Sequence, residues 1–425
     1  VKFDPSQVAV TSFIPIPARY DWLKSVFADP TNASWSLRDS NLDPNYPTVA
    51  EYALQIYPEL LPYAQQNLDA QNANIKLYDP AKDGKFAGVV TLSLGFFAKA
   101  LDVTGALQID DHSIHDTVDS SNFVAKIHNY SLNPALSQGY DNQACGDTSC
   151  SKIFTSDVVK AFIDKIKSNL PLYIGRMGKL AYESLKAKDI EIYLTQPDAE
   201  KTLQDLKIAG TVAAPATGDS VFEVDTNIGA NKDNAFLKYT MSDQISLDNS
   251  GPATHQLDWS YYWPDIPATP DVPTTNPNLY PNQSYAAGSA TYHSYSRVFV
   301  PPDATFISQH GFNYINTAID FGRTSFGSDA YATFLNTSKY GMSWSAPTAV
   351  THDASGYHYH LIWQRESGIF WPLTMTVTLP SCVSTATPPV TSGLGKTDTV
   401  KVAGNVVTIT TLLSQDEQFQ FDWKC

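Results

Sequence analysis

This sequence is poor in positive charge. Its 28 Lys and Arg residues are outnumbered by 43 Asp and Glu residues, which gives a formal net charge of -15. Only six of the basic residues are arginines, the side chain best suited to paired contacts with phosphate. Nucleic-acid binding needs a basic surface, and anionic membranes attract the same kind of surface. The composition therefore predicts no nucleic-acid partner, and it disfavours an anionic lipid surface.

Long apolar runs and familiar catalytic motifs are also missing. No apolar stretch reaches the roughly 18 residues that a membrane-spanning helix needs, so we expect no membrane span in this chain. The sequence has no GxSxG, no HExxH, no P-loop and no GxGxxG between a strand and a helix. It opens at Val1 with no basic-then-apolar leader, and we expect a processed or cut boundary there.

Cysteine is scarce but even in number. Cys145 and Cys150 enclose the turn-like tetrapeptide GDTS, whereas Cys382 and Cys425 bracket the last strands. Four cysteines allow three pairings, and position favours Cys145 with Cys150 and Cys382 with Cys425. An even count in neighbouring pairs suits an oxidising compartment, so we expect an extracellular or cell-surface protein. Buried free thiols in a cytosolic protein are the alternative.

The hydrophobic pattern changes type along the chain. With 425 residues and 43% hydrophobic content, the chain is long enough for two or three folded domains. Residues 1–239 mix helices with short strands, which predicts an α+β or α/β domain with helices at about 48–70, 156–170 and 178–188. Residues 240–425 read as short strands separated by turns, which predicts an all-β, sandwich-like domain. A Pro-rich insertion interrupts this second domain at about 264–290.

Local signals set the predicted helix ends. Thr48 and Glu51 have the spacing of a capping box at the start of the first helix, and Pro58 should bend that helix. Pro171 should end the helix that precedes it. Asn249-Ser250-Gly251 predicts a hairpin turn between two alternating strands of the second domain.

Four segments resemble, in order, a bacterial family known as domain of unknown function 4012. They are SWSLRDSNLDPNYPTVAEYA, FAGVVTLSLGFFAKALDVTGALQI, IAGTVAAPATGDSVFEVDTNIGANKDNAFLKY and HLIWQRESGIFWPLTMTVTLP, and together they span about residues 34–380. The resemblance implies a bacterial cell-envelope protein with an α/β part followed by a β-rich part. The membrane anchor and the Gln-Asn strand that open the family pattern are missing from this sequence. The α/β part is similar in outline to LytR–CpsA–Psr glycopolymer transferases.

The loop after the strand SVFEVD has oxygen-bearing side chains at alternate positions: Asp225, Asn227, Asn231 and Asp233. Calcium binds six to eight oxygens, so this loop is a candidate calcium site and calcium the one candidate cofactor. The spacing departs from an EF-hand, since Gly229 stands where a ligand belongs and no Glu closes the loop. The alternative is that these residues only build turns.

Two further patterns could bind a ligand. His358 and His360 lie two apart on one strand, where two imidazoles can share a transition metal, although solvent-facing histidines are the alternative. Trp259, Tyr261 and Trp263 point to one side of another strand and Tyr262 to the other. Such a ladder could stack a glycan or a partner surface, or fill the sandwich core.

Taken together, the sequence favours an exported surface protein with a structural, assembly or adhesion role and no catalysis. Its expected partners are further copies of itself, other surface proteins or glycans. Two alternatives stay open: an envelope enzyme of the glycopolymer phosphotransferase type, and a carbohydrate-binding surface module. The phosphotransferase would need arginines and carboxylates that converge on a phosphate.

Overall fold

The computed structural model describes residues 14–16, 34–35, 37–70, 76–111, 114–132, 153–212, 218–229, 233–266 and 291–425. These residues divide into two compact units, the first ending at Thr211 and the second beginning at Val212. The first mixes helices and short strands and the second is built of strands, which confirms the predicted fold class. Among the described residues, no helix combines the length and apolarity needed to cross a membrane.

Among the described residues of the first unit there are six α-helices. Their bounds are Tyr46–Ala70 (α1), Leu94–Thr104 (α2), Phe123–Leu132 (α3), Ile153–Ser168 (α4), Leu170–Lys186 (α5) and Pro197–Asp205 (α6). Pro171 occupies the first turn of α5, where its missing N–H costs nothing, so it begins a helix directly after α4 ends. The structure therefore starts this helix eight residues before the predicted 178.

The first helix is continuous in spite of two prolines. α1 runs through Pro58 and Pro62, although an interior proline costs about 3 kcal/mol in helix stability. Two buried side chains compensate, because Tyr57 and Leu60 pack into the unit's interior. The Tyr57 hydroxyl also donates to the Tyr78 carbonyl oxygen at 3.0 Å. Tertiary contacts thus outweigh the local helix preference.

Three short antiparallel strand pairs complete the described part of this unit. Its strands are Ile14–Pro15 (β1), Ser34–Trp35 (β2), Gly88–Leu92 (β3), Leu107–Asp111 (β4), Ile114–Val118 (β5) and Ile190–Leu194 (β6). They pair as β1 with β2, β3 with β6 and β4 with β5. The main core lies between helices α2 to α5 and includes the rings of Phe96, Phe123, Phe154 and Phe162.

The second unit contains fifteen strands among the described residues. They are Asp219–Asn227 (β7), Lys238–Leu247 (β8), Ala253–Tyr262 (β9), Thr291–Val300 (β10), Thr305–His310 (β11), Asn316–Asp320 (β12), Arg323–Thr333 (β13), Thr337–Ala346 (β14), Val350–Asp353 (β15), Gly356–Gln364 (β16), Trp371–Thr378 (β17), Val390–Ser392 (β18), Thr399–Ala403 (β19), Val406–Leu413 (β20) and Glu417–Trp423 (β21). A 3-10 turn, Asp233–Phe236, precedes β8.

Two sheets face each other across one hydrophobic core. The first sheet has the order β12-β13-β10-β7-β16-β21-β18, with β15 beside β16, and the second has β11-β14-β9-β8-β17-β20-β19. Each sheet contains one parallel pair, β7 with β16 and β8 with β17, and the other pairs are antiparallel. We call these two pairs the parallel seam. The core includes Trp344, Trp363 and Trp371, each at most 1% exposed.

The boundary between the units differs from the predicted one at residue 239. β7 lies before that boundary in the chain but pairs with β10 and β16 inside the sandwich. The predicted hairpin is present, since β8 and β9 pair from Lys238 with Tyr262 to Leu247 with Ala253. In the turn between them, Gly251 has a φ of +122°, which disfavours any residue with a side chain.

Candidate functional site

The predicted disulfide at the chain end is confirmed. Cys382 and Cys425 are bonded, with their Cα atoms 5.3 Å apart. Asn249, in the β8–β9 turn, lies against this bond and accepts a hydrogen bond of 2.9 Å from the Trp423 indole. Cys145 and Cys150 lie outside the described residues, so their pairing stays a prediction.

The aromatic ladder on β9 lies inside the sandwich. Trp259, Tyr261 and Trp263 are at most 2% exposed, whereas Tyr262, on the opposite face of the strand, is 38% exposed. The alternation of side chains between the two faces of this strand was therefore predicted correctly. The face that carries the three aromatic residues points into the core. A glycan cannot stack on these three rings without separating the sheets. They fill the core, which was the alternative drawn from the sequence.

Tyr261 connects this ladder to a buried carboxylate on β7. Its hydroxyl accepts a hydrogen bond from the Trp259 indole at 2.9 Å and lies 2.8 and 2.7 Å from the two carboxylate oxygens of Asp225. The hydroxyls of Ser294 and Ser296 also donate to Asp225. Burial raises the pKa of Asp225, and these hydroxyl donors oppose the rise by stabilising its charged form.

This network removes Asp225 from the predicted calcium loop. Its carboxylate points into the sandwich, because odd-numbered residues of β7 share the inward face. Asp233 is itself buried, and burial raises its pKa to about 7. Asn227 lies near Asn234, with 3.5 Å between their amide groups, and Asn231 lies outside the described residues. The structure therefore places Asp225 in the core network, and the calcium site itself stays a prediction.

Two more acids lie near Asp225. Burial, followed by the charges of Asp225 and Glu366, raises the pKa of Glu223 well above its ordinary value. Burial likewise raises the pKa of Glu366, one of whose oxygens accepts the Asp225 N–H at 3.0 Å. Glu223 is 2% exposed, so its carboxyl group is closed to a substrate. The arrangement can stabilise charge within the core, and it offers no open reaction centre.

A second buried network joins three strands through a histidine. His255 on β9 lies 2.8 Å from Asp219 of β7 and 2.9 Å from Asp243 of β8. Burial alone would lower the pKa of His255, but the two carboxylates outweigh it and raise the pKa to about 10. The Tyr359 hydroxyl donates to Asp219 at 3.0 Å, and the Trp344 ring stacks on the imidazole at 4.6 Å. The imidazolium is therefore a structural cation between two sheets.

The buried arginines do not form a phosphate site. Arg323 is fully buried and donates to the carbonyl oxygens of Phe299 and Ser220 and to Gln364. Burial lowers its pKa to about 9. Arg365 is also buried and donates to the Ile369 carbonyl at 2.9 Å. These guanidinium groups donate hydrogen bonds to backbone carbonyl oxygens in the core.

His358 belongs to a cluster that resembles a Ser-His-Asp triad. Ser355 Oγ lies 2.9 Å from His358 Nε2, and His358 Nδ1 lies 2.6 Å from Asp422 Oδ1. However, Asp353 also lies 3.1 Å from Nε2 and accepts the Ser355 hydroxyl at 2.5 Å. Hydrogen bonds to Asp422 and Asp353 raise the pKa of His358. The Ser355 hydroxyl donates to Asp353, whereas the serine of a catalytic triad donates to the imidazole.

The two-histidine metal hypothesis finds no support in this region. His358 is held by the carboxylates of Asp353 and Asp422, and His360 lies opposite Gln420 on β21. Within the described ranges, no group of three or more His, Cys, Asp or Glu residues could hold a metal ion.

A constellation that sequence reasoning missed lies on the outer face of the first sheet. We define the tyrosine face as His293, Tyr295, Tyr314, Asn316, Asp329 and Tyr331, from β10, β13 and the start of β12. Asp329 is its centre, because one oxygen lies 3.0 Å from His293 Nε2 and the other accepts the Tyr314 hydroxyl at 2.5 Å. The Tyr331 ring stacks on His293 with 4.3 Å between centroids.

The third ring of this face lies along the sheet. The Tyr295 hydroxyl reaches over Gly327, where it lies 2.7 Å from the position a Cβ atom would take, and it accepts a hydrogen bond from Asn316 at 3.2 Å. Tyr314 and Tyr331 remain 42% and 40% exposed. The only sequence signal was alternation in TYHSYSRVFV, in which His293 and Tyr295 share a face.

Comparison with known proteins gives little guidance. No family model and no curated protein matches the chain, so the resemblance to domain of unknown function 4012 stays a prediction. A Legionella pneumophila protein named for nutrient binding is similar at 10% identity and a TM-score of 0.30, over 48% of this chain and 72% of that one. A zinc metallopeptidase of Deinococcus radiodurans is similar at 8% identity and a TM-score of 0.22, over 44% of this chain and 42% of that one. At these scores neither likeness bears on what the chain does.

Proposed function

We propose that this chain is an exported surface protein that works by assembly with further copies of itself, without catalysis. Two findings support export and a structural role. The Cys382–Cys425 disulfide suits an oxidising compartment. The buried side chains of Asp219, Asp225, His255 and Arg323 bond to one another, to hydroxyl groups or to backbone carbonyl oxygens.

The observation that carries the assembly proposal is the strand β12 at the edge of the first sheet. Among the described strands it pairs with β13 alone, so it forms the edge of this sheet. Four of its five residues are exposed, and Ile319 is 69% exposed. Natural sheets protect their edges with charged side chains, Pro, bulges or very short strands. β12 has no Pro and no bulge, and its one charged residue, Asp320, is at its last position. A strand from a second copy can therefore extend this sheet.

The other edge strands carry such protection. β11 lies on the same side of the sandwich, since Phe306 contacts Phe326 of β13, but a bulge between Phe306 and Ser308 interrupts its pairing. On the opposite side, β18 is only three residues long and β19 carries Lys401. β12 is therefore the edge best suited to strand addition.

Replacing Ile319 with Lys tests the proposal. A charge on the edge disfavours strand addition, so we expect I319K to raise the protein concentration needed for half-assembly roughly tenfold or more. Sedimentation velocity and negative-stain electron microscopy of the full chain measure this. The matched control is L412K, because Leu412 is 46% exposed on β20, a strand paired on both sides.

Two results would contradict assembly through β12. One is a wild-type chain that sediments as a monomer at every concentration reached. The other is an equal loss of assembly in L412K and I319K, since that would show a general effect of added charge.

A further inference from the structure

We infer that the tyrosine face is a binding site for a neutral oligosaccharide. This inference is independent of assembly through β12, because it rests on outward side chains and not on the backbone of the edge strand. It also transfers the carbohydrate-binding hypothesis from the buried ladder of β9 to a different set of residues.

The first argument is the arrangement of the rings. Sugars present faces of C–H groups, which pack against the flat faces of aromatic rings. Tyr314 and Tyr331 are exposed, and Tyr295 is half-buried and extends over Gly327. A side chain at position 327 would collide with the end of this ring, so the glycine permits the close approach. Three tyrosines thus lie beside one another on one surface.

The second argument is that these side chains are held in place before any ligand binds. Asp329 fixes His293 and Tyr314 by hydrogen bonds, His293 stacks on Tyr331, and Asn316 holds the Tyr295 hydroxyl. The backbone at Tyr331 is also fixed, since the Tyr340 hydroxyl bonds to its N–H and its carbonyl oxygen, both at 2.7 Å. Ordering costs oppose binding, and a surface ordered in advance avoids most of them.

The third argument concerns polarity and charge. Each carboxylate oxygen of Asp329 has a further lone pair for a sugar hydroxyl. The Tyr314 hydroxyl donates its proton to Asp329 and can still accept a hydrogen bond from a sugar. A carboxylate at the centre of the face repels uronic acids and sulfated sugars, as does the chain's net charge of -15. The chemistry therefore favours a neutral, hydroxyl-rich ligand over an acidic polysaccharide.

Affinity electrophoresis tests this inference with the full chain. The native gels contain a soluble neutral polysaccharide (β-glucan, xylan or galactomannan) or, as the acidic comparison, polygalacturonate. We expect at least one neutral polymer to retard the protein and polygalacturonate to have no effect. Y331A and Y314A should each weaken this retardation roughly tenfold, which is what one aromatic contact supplies.

Two variants separate binding from folding. Y262A removes a ring of similar exposure from the outer face of the second sheet, and it should be retarded as strongly as the wild type. G327A removes no ring but displaces the ring of Tyr295, and it should weaken retardation while the circular dichroism spectrum is unchanged. The inference is overturned if no neutral polymer retards the wild type, if only polygalacturonate does, or if Y262A loses as much affinity as Y331A.

Discussion

The interior of the sandwich depends on a few polar side chains whose partners lie on other strands. His255 is the clearest case, because one imidazolium is paired with both Asp219 and Asp243 and all three residues are fully buried. Removing one partner of a buried ion pair leaves an uncompensated charge, which costs far more than the pair contributes. His255 should therefore be among the most sensitive positions of the sandwich.

The variant H255Q should lower the free energy of unfolding by about 3–5 kcal/mol, because both carboxylates lose their cation. Urea denaturation followed by tryptophan fluorescence measures the change. The double variant D243N/H255Q should recover part of the lost stability, since it removes one of the two carboxylates that H255Q leaves without a cation. Equal stability of H255Q and the wild type would show that His255 is neutral in the folded protein.

For single residues, strand alternation predicted which face of β9 holds the aromatic side chains. It could not predict their partners. Asp225 receives hydrogen bonds from residues 36 to 71 positions further along the chain. The sequence around Asp225 contains no signal that identifies these partners. The acids at alternate positions of DSVFEVD were the available signal, since inward carboxylates in a buried strand must find partners.

Among the elements, the last four strands are tied into a closed loop. The Cys382–Cys425 bond spans 43 residues and encloses β18 to β21, and Asn249 joins it to the β8–β9 turn. A covalent link of this length restricts the unfolded chain and so stabilises the folded one. The last strand, β21, pairs with β16 and β18. The disulfide at Cys425 fixes the C-terminal end of this strand.

We expect C382S/C425S to lose about 4 kcal/mol of stability, the loop-closure value for a loop of this size. Differential scanning calorimetry of the full chain measures the sandwich transition. The control C145S/C150S changes two cysteines of the first unit and should leave that transition unmoved. A sandwich transition that is the same in both double variants would contradict this role of the disulfide.

The ends of helices and the assignment of strands to units could be predicted only where residues close by in the sequence determine them. Pro171 correctly marked the end of one helix, but its second role as the start of α5 depends on packing that the pattern does not show. The assignment of β7 to the first unit failed for a related reason. Its parallel partner β16 lies about 140 residues later in the chain, and sequence periodicity carries no information on such pairing.

For the molecule as a whole, several buried acids have pKa values raised by burial. The pKa of Glu417 is raised to about 7, as is that of Asp233, both chiefly because burial disfavours the charged carboxylate. A raised pKa means that the folded state binds the proton more tightly than the unfolded chain does. Stability from these two groups is therefore fully present below about pH 4 and is lost as pH rises through about 7. His255 adds stability that is lost only as pH approaches 10.

The sandwich should consequently be more stable at pH 5 than at pH 8, by up to about 3 kcal/mol for a single carboxyl with such a shift. Thermal unfolding across this range measures the dependence. E417Q should flatten it, because the amide stays neutral at every pH, whereas the exposed acid in D303N should leave it unchanged. Rising stability from pH 5 to pH 8 would contradict the pKa directions.

The parallel seam has a consequence for the order of events during synthesis. β7 and β8 leave the ribosome more than 100 residues before β16 and β17, the strands that cover one side of each. Until residue 378 has emerged, both nascent sheets are incomplete at their centres, and the apolar interior is open to solvent. We expect such a chain to fold late and slowly, because its long-range strand pairs can form only after most of it has been synthesised. Until then, its exposed apolar surface can associate with other chains.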